Sequence, residues 1–100
     1  MVTIEKLRIE SELAQLRKRW KEARDKGDLF IKIAECENRT LDPTKQGPTN
    51  DWGIFQIHYP SHKVPIKFLK NWKVNILIAK QLFDESGTNP WIASFNCWRK

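Results

Sequence analysis

The stretch CENRTLDPTKQGPTNDWGIFQI, residues 36–57, decides how the rest of the chain is read. It opens with a carboxylate, Glu37, on the last turn of a helix expected over about Leu29 to Asn38, with Asp28 as its cap. On that helix Phe30, Ile33, Ala34 and Glu37 fall on one stripe, and Glu35 falls on another with Lys32 one turn before it. Helical phase therefore separates the two acids. Glu35 reads as a solvated, charge-paired surface residue. Glu37 continues the apolar stripe, where desolvation raises a carboxyl's pKa and keeps it available as a proton donor. The plainer reading is that Glu37 frays into solvent at the helix end.

Turn residues follow: Asp42-Pro43, Gly47-Pro48 and Asn50-Asp51. Asp51 to His58 then reads as a short strand in which Gly53 permits a tight bend or a close approach. Asp51 is either a second functional acid or a turn residue after Asn50. His58 and His62 stand one helical turn apart, but Pro60 between them argues against a helix there, and no metal site is expected. Ser61 to Lys70 reads as a loop with a short helical turn. Asn71 caps the next helix, lined by Trp72, Ile76, Ala79, Leu82 and Phe83. Val74, Leu77 and Ile78 are apolar as well, which predicts burial on most sides. Gly87 ends it, and Asn89 as cap with Pro90 in the first turn opens a final helix.

Upstream, Val2 to Lys26 is helical in pattern, with Ile9, Leu13, Leu16, Trp20 and Ala23 on one face and Gly27 as the stop. That face fits an amphipathic helix lying on the domain core. Its spacing also fits a heptad, so a dimer seam through residues 9–23 is the alternative to a monomer. The basic run Arg17, Lys18, Arg19 and Lys21 is either a solvated face or a phosphate contact.

One hundred residues make one domain, here an N-terminal helix (1–26) and a core (28–98). The core is modest, but 40% hydrophobic residues with five Trp and five Phe can fill it. A net charge of +6 favours polyanionic partners, an anionic cell wall as well as nucleic acid. No run of about 18 apolar residues occurs, so no membrane span is expected. The N-terminus lacks the apolar core of a signal peptide. The two cysteines, Cys36 and Cys97, form either one bridge or two buried thiols, and no CxxC or Cys/His quartet suggests zinc.

Three blocks taken together resemble the lysozyme-like superfamily, both animal-type lysozymes and soluble lytic transglycosylases. Cys36-Glu37-Asn38 is similar to the C-E-S at a helix end. Asp51-Trp52-Gly53-Ile54-Phe55-Gln56-Ile57 resembles D-Y-G-I-L-Q-I. Asn89-Pro90-Trp91-Ile92-Ala93-Ser94-Phe95-Asn96-Cys97 resembles the late A-W-x-A-W-x-x-x-C helix. The blocks occur in the family's order over about residues 28–98, and Asn75-Ile76 with Ala79 matches an N-I-x-x-A pattern between them. The interval from Glu37 to Asp51 is shorter than in the animal enzymes, and Cys36 stands next to the Glu rather than earlier.

The resemblance implies an α+β fold, predominantly helical, with a small β-hairpin lining a sugar cleft. It implies a muramidase that cuts peptidoglycan between N-acetylmuramic acid and N-acetylglucosamine, with Glu37 as general acid and Asp51 as second carboxylate. The alternative chemistry is a lytic transglycosylase. Gln56, Asn50, Trp52 and Trp91 would bind or support substrate, with Trp91 packed over the acid. In lysozyme itself such an aromatic wall raises the carboxyl's pKa. Cys97 resembles the family's late half-cystine. No cofactor is implied, and the site of action would be extracytoplasmic. Two other classes stay in view: a small basic helical protein that binds nucleic acid, and a wall-binding domain that does not cut. Against the first, aromatic and basic residues do not alternate in a single-strand or RNA-binding pattern.

Overall fold

The computed structural model describes residues 4–19 and 24–99. Two helices, α1 (Ile4–Arg19) and α2 (Arg24–Glu37), are followed by a hairpin of β1 (Asp51–Trp52) and β2 (Ile57–His58). Short helices α3 (Tyr59–His62) and α4 (Ile66–Leu69) lead to the long α5 (Trp72–Ser86). A 3₁₀ segment (Asn89–Ser94) and α6 (Phe95–Trp98) close the chain. Among the described residues the architecture is predominantly helical with one small antiparallel sheet.

On α1, Ile9 and Leu13 are buried and Leu16 packs against the core, so the apolar face is used within the chain. The expected positions Trp20, Lys21 and Ala23 lie outside the described residues. Gly27 does not stop a helix. It is buried inside α2, which begins at Arg24, so Asp28 is not a cap either. A glycine inside a helix costs about 1 kcal/mol. Complete burial of Phe30, Ile33 and Ala34 on the same helix outweighs that cost.

The segment expected as one strand is a hairpin whose strands are only two residues long, pairing Asp51 with His58 and Trp52 with Ile57. The chain reverses because Gly53 takes φ +80 and Gln56 takes φ +50. Gly53 has a second reason to be glycine: a Cβ there would collide with the Asn75 amide and the Leu69 carbonyl. A hairpin this small is not stable alone. Two buried asparagines and an aromatic cluster hold it.

Asn38, directly after α2, donates to the carbonyls of Asp42 (2.7 Å) and Gly53 (3.1 Å). Asn75 of α5 accepts from Phe55 N (2.9 Å) and donates to the carbonyls of Trp52 (2.8 Å) and Leu69 (2.9 Å). Each amide supplies bonds that a longer sheet would have supplied. Phe55, at the hairpin's turn, stacks on Phe30 of α2 with ring centroids 4.4 Å apart and meets Trp91 at 5.8 Å. Phe83 of α5 completes the cluster against Phe30 at 5.5 Å.

The remaining elements depart from expectation in three places. Pro60 does not prevent a helix, because it falls in the first turn of α3, where a missing N–H costs nothing. Helix α5 is capped by Asn71, whose side chain accepts from the amides of Lys73 and Val74, and it ends at Gly87. It is not buried on most sides: Asn75, Ile76, Ala79 and Phe83 face the core, whereas Leu77 is 69% exposed. A domain this small meets a helix along one stripe only. The final helix is likewise not continuous. Thr88 rather than Asn89 holds the cap position, Pro90 lies in the first turn, and Trp91 has non-helical dihedrals that separate the 3₁₀ segment from α6. Those dihedrals accompany an indole turned inward to donate to the Phe55 carbonyl at 2.9 Å.

Candidate active site

The end of α2 and the last two elements are joined covalently. Cys36 and Cys97 form a disulfide with their Cα atoms 5.9 Å apart, so the two thiols are not free. The bridge sets the residue after Cys36, which is Glu37, beside the turn that precedes Cys97. On that turn Ser94 Oγ lies 2.6 Å from Glu37 Oε1 and 3.1 Å from the Trp91 carbonyl.

Helical phase placed Glu37 and Glu35 on different faces, and the structure does so too: Glu37 is half-buried and Glu35 is exposed. Burial pushes the Glu37 carboxyl above its ordinary value, because the charged form loses hydration. The hydrogen bond from Ser94 acts in the opposite direction. The negative charge of Asp51 raises the pKa further, and the positive charge of Lys45 lowers it. Burial is the largest of these influences, and the net shift is upward.

Asp51 enters from β1. Its Oδ2 accepts a hydrogen bond from Thr49, and its carbonyl accepts from Gly47 N at 2.7 Å. Gly47 is packed so closely that a Cβ there would meet the Gln56 side chain and the Asp51 carboxylate. Gln56 Nε2 donates to the carbonyls of Gly53 (2.9 Å) and Lys45 (3.1 Å), which ties the hairpin to the preceding loop. Gln56 is thus a brace rather than a reactive group. Asp51, Gln56 and Trp91 line one cavity of about 370 Å³, together with His58 and His62. His58 Nδ1 is 2.6 Å from Ser61 Oγ.

Asn50 and Trp52 serve the hairpin itself. The Trp52 indole donates to Asn50 Oδ1 at 2.8 Å, and the Lys70 ammonium stands 5.0 Å above the Trp52 ring. Trp91 lies in the core at 2% exposure, and Ser94 Oγ bridges its carbonyl to the Glu37 carboxyl. The structure brings Glu37, Asp51, Gln56, Trp91 and the bridge into one neighbourhood and leaves Glu35 outside it.

Sequence reasoning gave no role to Lys45, Ser94, Asn38 or Asn75, although the last three stand within the quoted motifs. Two of them carried a signal. Asn38 continues the stripe of Phe30 and Ala34, and Asn75 lies one turn before Ala79, so each is a polar residue on a buried face. Lys45 and Ser94 carried none, since their partners are remote in sequence.

Chemically, the arrangement offers a carboxyl of raised pKa and a nearby carboxylate, Asp51, which lines the cavity between hairpin and core while Glu37 does not. No family profile, no curated protein and no solved structure matches this chain.

Proposed function

We propose that this chain is a peptidoglycan-cleaving muramidase with a lysozyme-like fold, acting outside the cytoplasm on wall glycan. The observation that carries the reading is Glu37: a half-buried carboxyl at a helix end, its pKa raised, next to a hairpin that carries a second carboxylate. A glycosidic oxygen needs a proton as its bond to the anomeric carbon breaks. Glu37 supplies that proton and becomes a carboxylate. Asp51, negatively charged, stabilises or captures the oxocarbenium centre that forms. Water then adds, and Glu37 takes a proton from it, which returns the site to its starting state. We read the hydrolytic ending rather than internal capture by the muramyl 6-hydroxyl because the hairpin beside Glu37 carries a second carboxylate, Asp51.

Clearing of a suspension of purified cell walls, compared between the wild-type protein and Glu37→Gln, tests the reading. Clearing by the wild type and none by the variant supports it. Equal clearing by both, or by neither, overturns it. Mass spectrometry of the fragments decides the ending. Reducing-end muramic acid marks a hydrolase, and products lighter by one water mark a lytic transglycosylase.

A further inference from the structure

We propose that Ser94 is a positioning residue for Glu37: its hydroxyl holds one carboxyl oxygen, Oε1, and donates to it once the proton has been transferred. This deepens the muramidase reading and rests on it. The geometry supplies the argument. Ser94 Oγ has two acceptors within reach, Glu37 Oε1 at 2.6 Å and the Trp91 carbonyl at 3.1 Å. A hydroxyl donates one proton and also accepts, so Ser94 can bind Glu37 in both of its states. While Glu37 is protonated, Ser94 can accept from the acid and give its own proton to the Trp91 carbonyl. Once Glu37 is ionised, the carboxylate is the stronger acceptor and draws the Ser94 proton to Oε1.

The same bond serves the step that follows. When Glu37 gives up its proton, Ser94 donates to the carboxylate, and a hydrogen bond to a charged oxygen is about twice as strong as one to a neutral oxygen. The stabilisation thus grows as the reaction proceeds, which is the condition for accelerating a step rather than tightening binding. Burial raises the Glu37 pKa, and Ser94 offsets part of that rise.

The other groups that act on Glu37 do not duplicate this role. Asp51 and Lys45 act through charge, with opposite signs, from the hairpin and the preceding loop. Cys97, on the turn after Ser94, is bridged to Cys36 and does not titrate. That bridge is also what keeps Ser94 in place, since it ties the Ser94 turn to the residue directly before Glu37.

The test compares Ser94→Ala and Ser94→Thr with the wild type in two arms. In the first, wall clearing is followed across pH. A general acid must be protonated, so the rate falls as pH rises through the Glu37 pKa. Ser94→Ala should lower the rate by about 10- to 100-fold, the worth of a hydrogen bond to a charged group. It should also move the alkaline limb to higher pH, because the anion has lost a donor. Ser94→Thr keeps the hydroxyl and should restore both rate and limb. A lower rate with an unmoved limb, or a limb that Thr does not restore, overturns the proposal.

The second arm needs no activity and no altered fold. In the wild-type protein, the carboxyl carbon of Glu37 and the β-carbon of Ser94 are followed by NMR through a pH titration. One shared midpoint is expected. Ser94 signals that ignore the ionisation of Glu37 overturn the proposal even if walls are cleared. If walls are not cleared at all, the muramidase reading fails while this arm still decides whether Ser94 holds Glu37.

Discussion

Asn75 gives the most direct test of how this small domain holds its hairpin. Its side chain accepts from Phe55 N and donates to the carbonyls of Trp52 and Leu69, and the residue is fully buried. Asn75→Ala removes all three bonds at once. Trp52 is half-exposed, so its carbonyl can find water, but Phe55 and Leu69 have no exposed surface. Two buried backbone groups are left without the partner that Asn75 supplied. At about 1–3 kcal/mol for each stranded group, the loss is on the order of 3–4 kcal/mol. For a domain of this size, each kcal/mol lowers Tm by about 4–8 °C, so a fall of roughly 15–25 °C is expected. Thermal and urea unfolding of the oxidised protein measure it, with amide exchange at Phe55 as the local probe. Asn75→Asp, which keeps the acceptor for Phe55 N but loses both donors, also places a carboxyl in the interior and should be at least as damaging at neutral pH. A fall below about 4 °C with the Phe55 amide still protected would refute the reasoning, since the hairpin would then be held by the aromatic cluster alone.

Four further outcomes are expected. Glu37→Gln should abolish wall clearing whereas Glu35→Gln should leave it largely intact, measured side by side on the same walls. Asp51→Asn should cut the rate heavily if the ending is hydrolytic and barely change it if the products are anhydro sugars. Reducing the Cys36–Cys97 bridge, which spans 61 residues of sequence, should destabilise the protein by about 4 kcal/mol in the chain-entropy view, read as a drop in Tm with and without reductant. Glu37 also makes stability depend on pH. Its folded pKa is raised above the ordinary 4.5, so its contribution is complete below that value and is lost as pH rises through the folded pKa. Glu37→Gln should therefore melt higher than the wild type at pH 8 and like it at pH 4, as expected of a site that gives up stability for function.

Much of the helical framework was legible in the residues because helical order is local. The stripe of Phe30, Ile33, Ala34 and Glu37 assigns the buried face of α2 without any partner being known, and it alone separates Glu37 from Glu35. Asn71 and Gly87 mark the ends of α5 by groups that act within one turn. Local punctuation misled where burial opposed it. Gly27 and Asp28 look like a stop and a start, yet they lie inside α2, because the core gains more from a continuous helix than the glycine costs. Asn89 looks like a cap, yet the cap position is Thr88.

What the sequence by itself determined is which faces are apolar, where most helices lie and which acid shares a face with the core. Only the tertiary structure decided the partners. Two cysteines permit a bridge or two thiols, and a Cα separation of 5.9 Å selects the bridge. Asn75 is visible as a polar residue on an apolar stripe, but that it holds the hairpin's turn depends on backbone groups up to 23 residues away. Ser94 meets Glu37 across 57 residues. Periodicity reports the environment a side chain needs. It does not report which distant group satisfies that need, because that choice is made by the packing of the whole chain.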